Sequence, residues 1–118
     1  MQTFLTKQRA VLKIYLIHEI ERSKSYGWAY RQSIALKNKA YQPTSSEIYK
    51  ALHELTADGV VQRKKRQQVE KGEGLGEIVI YSFTEEGYHK AQLYKQQVKE
   101  DLERSRRLID AILKDIYS

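Results

Sequence analysis

No cysteine occurs in the 118 residues, so disulfide frameworks, thiolate metal sites and thiol nucleophiles are excluded together. Long apolar runs are missing as well. The stretch "MQTFLTKQRAVLKIYLIHEIERS" has an apolar middle, but Lys7, Arg9, Lys13 and Glu19 break it and no small-residue cleavage site follows. Nothing approaches the roughly 20 apolar residues that a membrane span requires, so the chain reads as cytoplasmic, without a membrane partner. Histidine is scarce: His18, His53 and His89 lie far apart, lack metal-ligand spacing, and have no nucleophile and third partner beside them. "KGEGLG" contains G-x-G-x-G, yet it neither follows a buried strand nor opens a helix, and so fails as a phosphate cradle. The expectation is a protein that is not an enzyme and carries no cofactor or metal.

Charge is plentiful and unbalanced. Twenty-one Lys+Arg against 15 Asp+Glu leave a net charge of +6, which favours an anionic partner such as nucleic acid or a membrane surface. Charged residues make up 31% of the chain and proline occurs once, a composition that suits one folded domain over 1–118.

Apolar residues at Ala10, Val11, Ile14, Ile17 and Ile20, widened by Tyr15 and Leu16, predict an amphipathic helix from Lys7 to Ser23. "SKSYG" interrupts it, and Trp28, Ala29, Ile34 and Leu36 suggest a second helix. "TSSE" then offers a capping box, Thr44 as N-cap and Glu47 three residues on. The helix that follows buries Ile48, Ala51, Leu52 and Leu55 and stops at Gly59, which can take the left-handed conformation. Its opposite face carries Ser46, Lys50, His53 and Ala57, with Tyr49 at the edge.

Residues 60–70 and 77–84 predict two strands of a hairpin, with "KGEGLG" as a flexible glycine tip. From Thr84 onward the pattern is helical, and Val98, Leu102, Ser105, Ile109, Ile112 and Ile116 recur at alternating steps of four and three. That is a coiled-coil seam with one polar position. A helix of about 30 residues extends on the order of 45 Å, too far for so small a domain to cover, and a second copy is the simplest partner. Tyr15, Tyr30, Tyr41, Tyr81 and Tyr94 suit core or interface better than base stacking.

This order of elements predicts an α+β, mostly α fold: a winged helix-turn-helix core over 4–84 and a long C-terminal dimerisation helix over 85–118. In such a fold one helix enters the major groove and the hairpin touches the backbone. The cations Arg63, Lys64, Lys65 and Arg66, with Lys71, suit phosphate contact, whereas Ser46, Tyr49, Lys50 and His53 suit base edges. His53 remains open between base reader, cap on a neighbouring element and idle surface group.

Three segments, "KQRAVLKIYL", "SSEIYKALHELTADGVV" and "AQLYKQQVKEDLERSRRLIDAIL", closely resemble the corresponding parts of the replication terminator protein family of Bacillus, in the same order and spacing. The resemblance implies a dimer joined through antiparallel C-terminal helices. It implies that dimers bind double-stranded terminator sites side by side in pairs and block a replication fork from one direction. The family's recognition-helix arginine falls on Lys50, its first-helix arginine on Arg9, and its basic wing on the segment from Arg63 to Lys71. A tyrosine linked to dimer-dimer contact falls on Tyr26.

The basic N-terminal arm is mostly missing, since only "MQTF" precedes the first helix segment. Lys50 puts a point charge where the family has a planar bidentate donor, and "WAYRQSIALK" diverges most. Expected partners are double-stranded DNA, a second copy and a replicative helicase, in a nucleoid-associated setting. The alternatives are a winged-helix transcriptional regulator, such as the phenolic-acid-responsive class, a plasmid or phage maintenance protein, or an interaction protein whose basic hairpin meets an acidic partner.

Overall fold

The computed structural model describes the backbone at residues 8–22, 41–71 and 74–118, and the side chains there outside 65–79. The described elements are α1 (Gln8–Glu21), α2 (Ser45–Ala57), β1 (Val61–Lys71), β2 (Gly74–Phe83) and α3 (Gly87–Tyr117). With β1 and β2 paired antiparallel, this is an α+β, mostly helical arrangement of the winged-helix kind. The second helix expected around Trp28 to Leu36, together with Tyr26 and Tyr30, lies outside the described residues.

α2 is closed at both ends by its own sequence. The Glu47 N–H donates to the Thr44 hydroxyl at 3.1 Å, and the Thr44 N–H donates to the Glu47 carboxylate at 3.0 Å. These are the two halves of a capping box. The Glu47 carboxylate accepts from the Thr44 backbone N–H and then from the Thr44 hydroxyl, and both hold its pKa below the ordinary value. At the far end Gly59 adopts φ +76°, its N–H donates to the Thr56 carbonyl, and that of Val60 to the Leu55 carbonyl. This pair of bonds is a Schellman motif, which satisfies carbonyls the helix leaves over.

Ile48, Ala51, Leu52 and Leu55 of α2 pack with Leu12, Leu16, Ile17 and Ile20 of α1, and Val60, Val61, Tyr81 and Ala91 complete the core. On α1 the buried stripe is therefore rotated from the expected one: Leu12 belongs to it, while Ala10, Val11 and Ile14 are only half-buried. The helix has a second neighbour. Glu21 accepts hydrogen bonds from Lys95 at 2.8 Å and Gln92 at 2.6 Å, which clasp the end of α1 to α3. Burial pushes the Glu21 pKa up, but these two bonds and the Lys95 charge outweigh it, and the carboxyl lies below its ordinary value.

The hairpin register runs from Val61↔Phe83 to Lys71↔Gly74, with an irregularity between Lys64 and Gln67. Gly74 and Gly76 thus belong to β2, and strand pairing continues into the segment expected to be a flexible tip. On β1 two residues, Lys65 and Arg66, oppose Val79 alone, a bulge that increases the local twist of the wing.

β2 returns to α2 through a tight crossing. The Thr84 hydroxyl donates to the Gly59 carbonyl at 2.6 Å, the Thr84 N–H to the Val60 carbonyl at 3.1 Å, and the Gly87 N–H to the Thr84 carbonyl at 3.0 Å. A Cβ on Gly87 would stand 1.9 Å from the Val60 carbonyl oxygen. Gly87→Ala is therefore expected to destabilise the fold by about 1–3 kcal/mol, the range for forced overpacking, as a lowered urea midpoint. An unchanged midpoint would mean that α3 can start elsewhere at no cost.

A candidate nucleic-acid interface

Burial of one face of α2 decides what its other face offers. Ser46, Tyr49, Lys50 and His53 are exposed and, with Glu54, line one open concavity. The residues expected to face outward are thus brought together on a single surface. It is mixed in chemistry: a hydroxyl, a phenol, an ammonium, an imidazole and a carboxylate within two helical turns.

The wing adjoins this surface. Arg63 and Lys64 of β1 are exposed, and Arg63 pairs across the hairpin with Tyr81. Burial raises the pKa of the Tyr81 hydroxyl, the Arg63 charge opposes that rise, and Tyr49 adds to it. One hydroxyl therefore feels both the base of the wing and the outer edge of α2. Lys65, Arg66 and Lys71 lie in β1 by their backbone, but their side chains fall outside the described set.

Arg9 does not stand free. In the first turn of α1 it forms an ion pair with Glu54, and Lys13, one turn further on, reaches the same carboxylate at 2.8 Å. The hydrogen bond from Lys13 lowers the Glu54 pKa, burial opposes that, and the charges of Lys13 and Arg9 lower it further. Arg9 also feels Glu47, the capping residue at the start of α2. Sequence reasoning passed over Glu54. The available signal was the pair Arg9 and Lys13, four residues apart on one face of α1, which calls for a carboxylate opposite.

The seam residues of α3 divide into two groups. Val98 and Ser105 are buried within their own chain, whereas Leu102, Ile109, Ile112 and Ile116 are 39–69% exposed, along with Leu113 and Tyr117. From Ile109 to Ser118 every residue is exposed. Leu102 also lines a cleft of about 420 Å³ between α1 and α3, with Ile14, Tyr15, His18, Gln92, Lys95, Gln96 and Lys99. Among the described residues no group of three or more His, Asp or Glu is placed to hold a metal ion, and no helix is long and apolar enough to cross a membrane.

A family model described as replication terminator protein matches residues 3–117. The replication termination proteins of Bacillus subtilis strain 168 and Bacillus vallismortis are each 38% identical to the chain over 116 residues, covering 97% of this chain and 92% of theirs. Among solved structures, a candidate transcriptional regulator from Thermoplasma acidophilum superposes with a TM-score of 0.64 at 18% identity, over 92% of this chain and 95% of its own. A transcriptional regulator from Clostridium thermocellum gives 0.59 at 19% identity, over 97% and 100%. Both structural likenesses bear on the fold alone.

The lowered Glu54 pKa carries a pH signature. A depressed carboxylate stabilises the fold above its unfolded pKa, near 4.3, and that contribution is lost as pH falls through the lower folded value. Glu54 is largely solvated, so the contribution is below about 1 kcal/mol. Urea unfolding is expected to show the protein more stable than Glu54→Gln at neutral pH, with the difference vanishing in acid. A difference independent of pH would mean that the pairing is not electrostatic.

Proposed function

The chain belongs to the replication terminator protein family, and we propose that it binds double-stranded DNA as a homodimer and arrests replication forks approaching from one side. One observation carries the DNA-binding part. Ser46, Tyr49, Lys50 and His53 converge on the free face of a rigidly packed helix, beside a wing that presents Arg63 and Lys64. Helix side chains suit base edges in the major groove, and wing cations suit phosphates. Lys50 is assigned a guanine, Ser46 and His53 adaptable contacts, and Tyr49 apolar contact at the groove wall. Lys65, Arg66 and Lys71 are assigned to the phosphate-contacting wing, and Tyr26 to contact between adjacent dimers.

The dimer reading is supported by α3. Its 31 residues extend roughly 46 Å, and its last nine are exposed with Ile109, Ile112, Leu113 and Ile116 among them. The four–three spacing fits either direction, and the antiparallel alignment that the family resemblance implies sets Leu102 beside Ile112, whereas Val98 and Ser105 are already buried within their own chain. The exposed half of each helix then meets the half that its partner's domain supports. The partner's Ile112 arrives at Leu102, where the α1–α3 cleft opens. The replicative helicase is assigned as the obstructed partner, stopped by a slowly dissociating pair of dimers.

Lys50→Ala is expected to weaken binding to a selected duplex by about 1–3 kcal/mol, the worth of a good base contact. Lys64→Ala is expected instead to flatten the log–log salt dependence by about 0.9, the effect of one phosphate contact. Equal effects of both variants on all duplexes would remove the division between reader and wing. Ile109→Lys with Ile112→Lys is expected to give monomers in sedimentation; a double variant that stays dimeric overturns the seam. For fork arrest the measurement is two-dimensional gel analysis of a plasmid carrying the bound site in each orientation. Arrest in one orientation is expected, and its absence in both favours a transcriptional regulator.

A further inference from the structure

Glu54 is the carboxylate that lines the concavity read as a receptor for a polyanion, and its two partners hold it unequally. The Lys13 side chain is 13% exposed and that of Arg9 38%. Lys13 is thus an inner clamp, packed where solvent and DNA scarcely reach, and Arg9 is an outer arm at the rim. Lys50 stands one turn before Glu54 on the same helix, in the same concavity. A carboxylate in that position repels phosphate, and it occupies a guanidinium that would otherwise be available to bind it.

We propose that Glu54 is a positioning residue that restrains Arg9 in the free protein and releases it to a DNA phosphate on binding, while Lys13 keeps the carboxylate in place. This rests on the DNA-binding reading above. A guanidinium makes stronger bonds to either anion than to water, because charge-assisted bonds are short and bidentate geometry fits both carboxylate and phosphate. The transfer therefore exchanges one charged partner for another, and only the difference between them adds to affinity. Bound this way, Arg9 contributes little on any duplex that fails to dock α2 closely. Where α2 seats fully, the phosphate comes within reach and Arg9 moves across. Glu54 in this role lowers non-specific affinity more than specific affinity, and it acts on discrimination without touching a base.

The experiment measures binding of the full chain to a short duplex of mixed sequence over a range of salt, for the protein, Glu54→Gln, Arg9→Ala and the double variant. Circular dichroism accompanies each to verify folding. Glu54→Gln is expected to bind the mixed duplex several-fold more tightly, with a log–log salt slope steeper by about 0.9, the mark of one phosphate gained. In the Arg9→Ala background that steepening is expected to disappear. A slope that Glu54→Gln leaves unchanged overturns the proposal, as does weaker binding, which would make Glu54 a direct contact. Steepening that persists without Arg9 also overturns it, since net charge alone would then be responsible. If the unaltered protein shows no salt-dependent duplex binding at all, the DNA-binding reading itself fails, an outcome distinct from the other three.

Discussion

Ile48, Ala51, Leu52 and Leu55 are between 0 and 2% exposed, and their packing on α1 fixes the rotation of α2 about its own axis. Each residue turns a helix by about 100°, so a shift of one position would bring Tyr49 or Lys50 toward the core and carry Ile48 out to solvent. The surface made by Ser46, Tyr49, Lys50 and His53 therefore exists because four apolar side chains leave it no other orientation. The capping box and the Schellman turn complement this constraint: they fix where the helix begins and ends, and so which residues stand in its outer turns.

That surface is not simply basic. Glu47 caps the helix and Glu54 holds Arg9 and Lys13, so carboxylates bracket Lys50 along α2. A uniform cationic face would bind any phosphate chain with an affinity set by charge count. On the proposed DNA-binding reading, interleaved acids would reduce that general attraction and leave more of the discrimination to geometry. The bulged wing works differently: its Arg63 and Lys64 are exposed, and neither takes part in the ion pairs described on α1 and α2.

α3 joins two roles in one helix. Its first half is tied to the domain by the close approach at Gly87, by Ala91 and by the Glu21 clasp. Its second half is an exposed amphipathic extension without a core of its own. Apolar side chains spaced along a charged helix at 39–69% exposure are costly in water and favour association. In the proposed dimer, the distance between the two α2 surfaces would be set by rigid helices and not by a loop.

The sequence alone determined the elements whose cause is local. Thr44 with Glu47, the three–four spacing from Ile48 to Leu55, Gly59, and the repeat from Val98 to Ile116 each act through neighbours within a turn or two, and each lies in the element expected of it. Three contiguous segments also sufficed for family membership. What tertiary structure decided involves contacts between residues far apart in the chain. Leu12 replaced Ala10 and Val11 in the α1 core because α3 claims a second side of that helix. Gly74 and Gly76 joined β2 because strand pairing carried further than glycine's local preference suggested. Arg9, read as a DNA contact, was found paired to Glu54, 45 positions away, a carboxylate with no local motif. Backbone periodicity acts along the chain and can be read from it; charge pairing acts through space, and only the fold determines which charges meet.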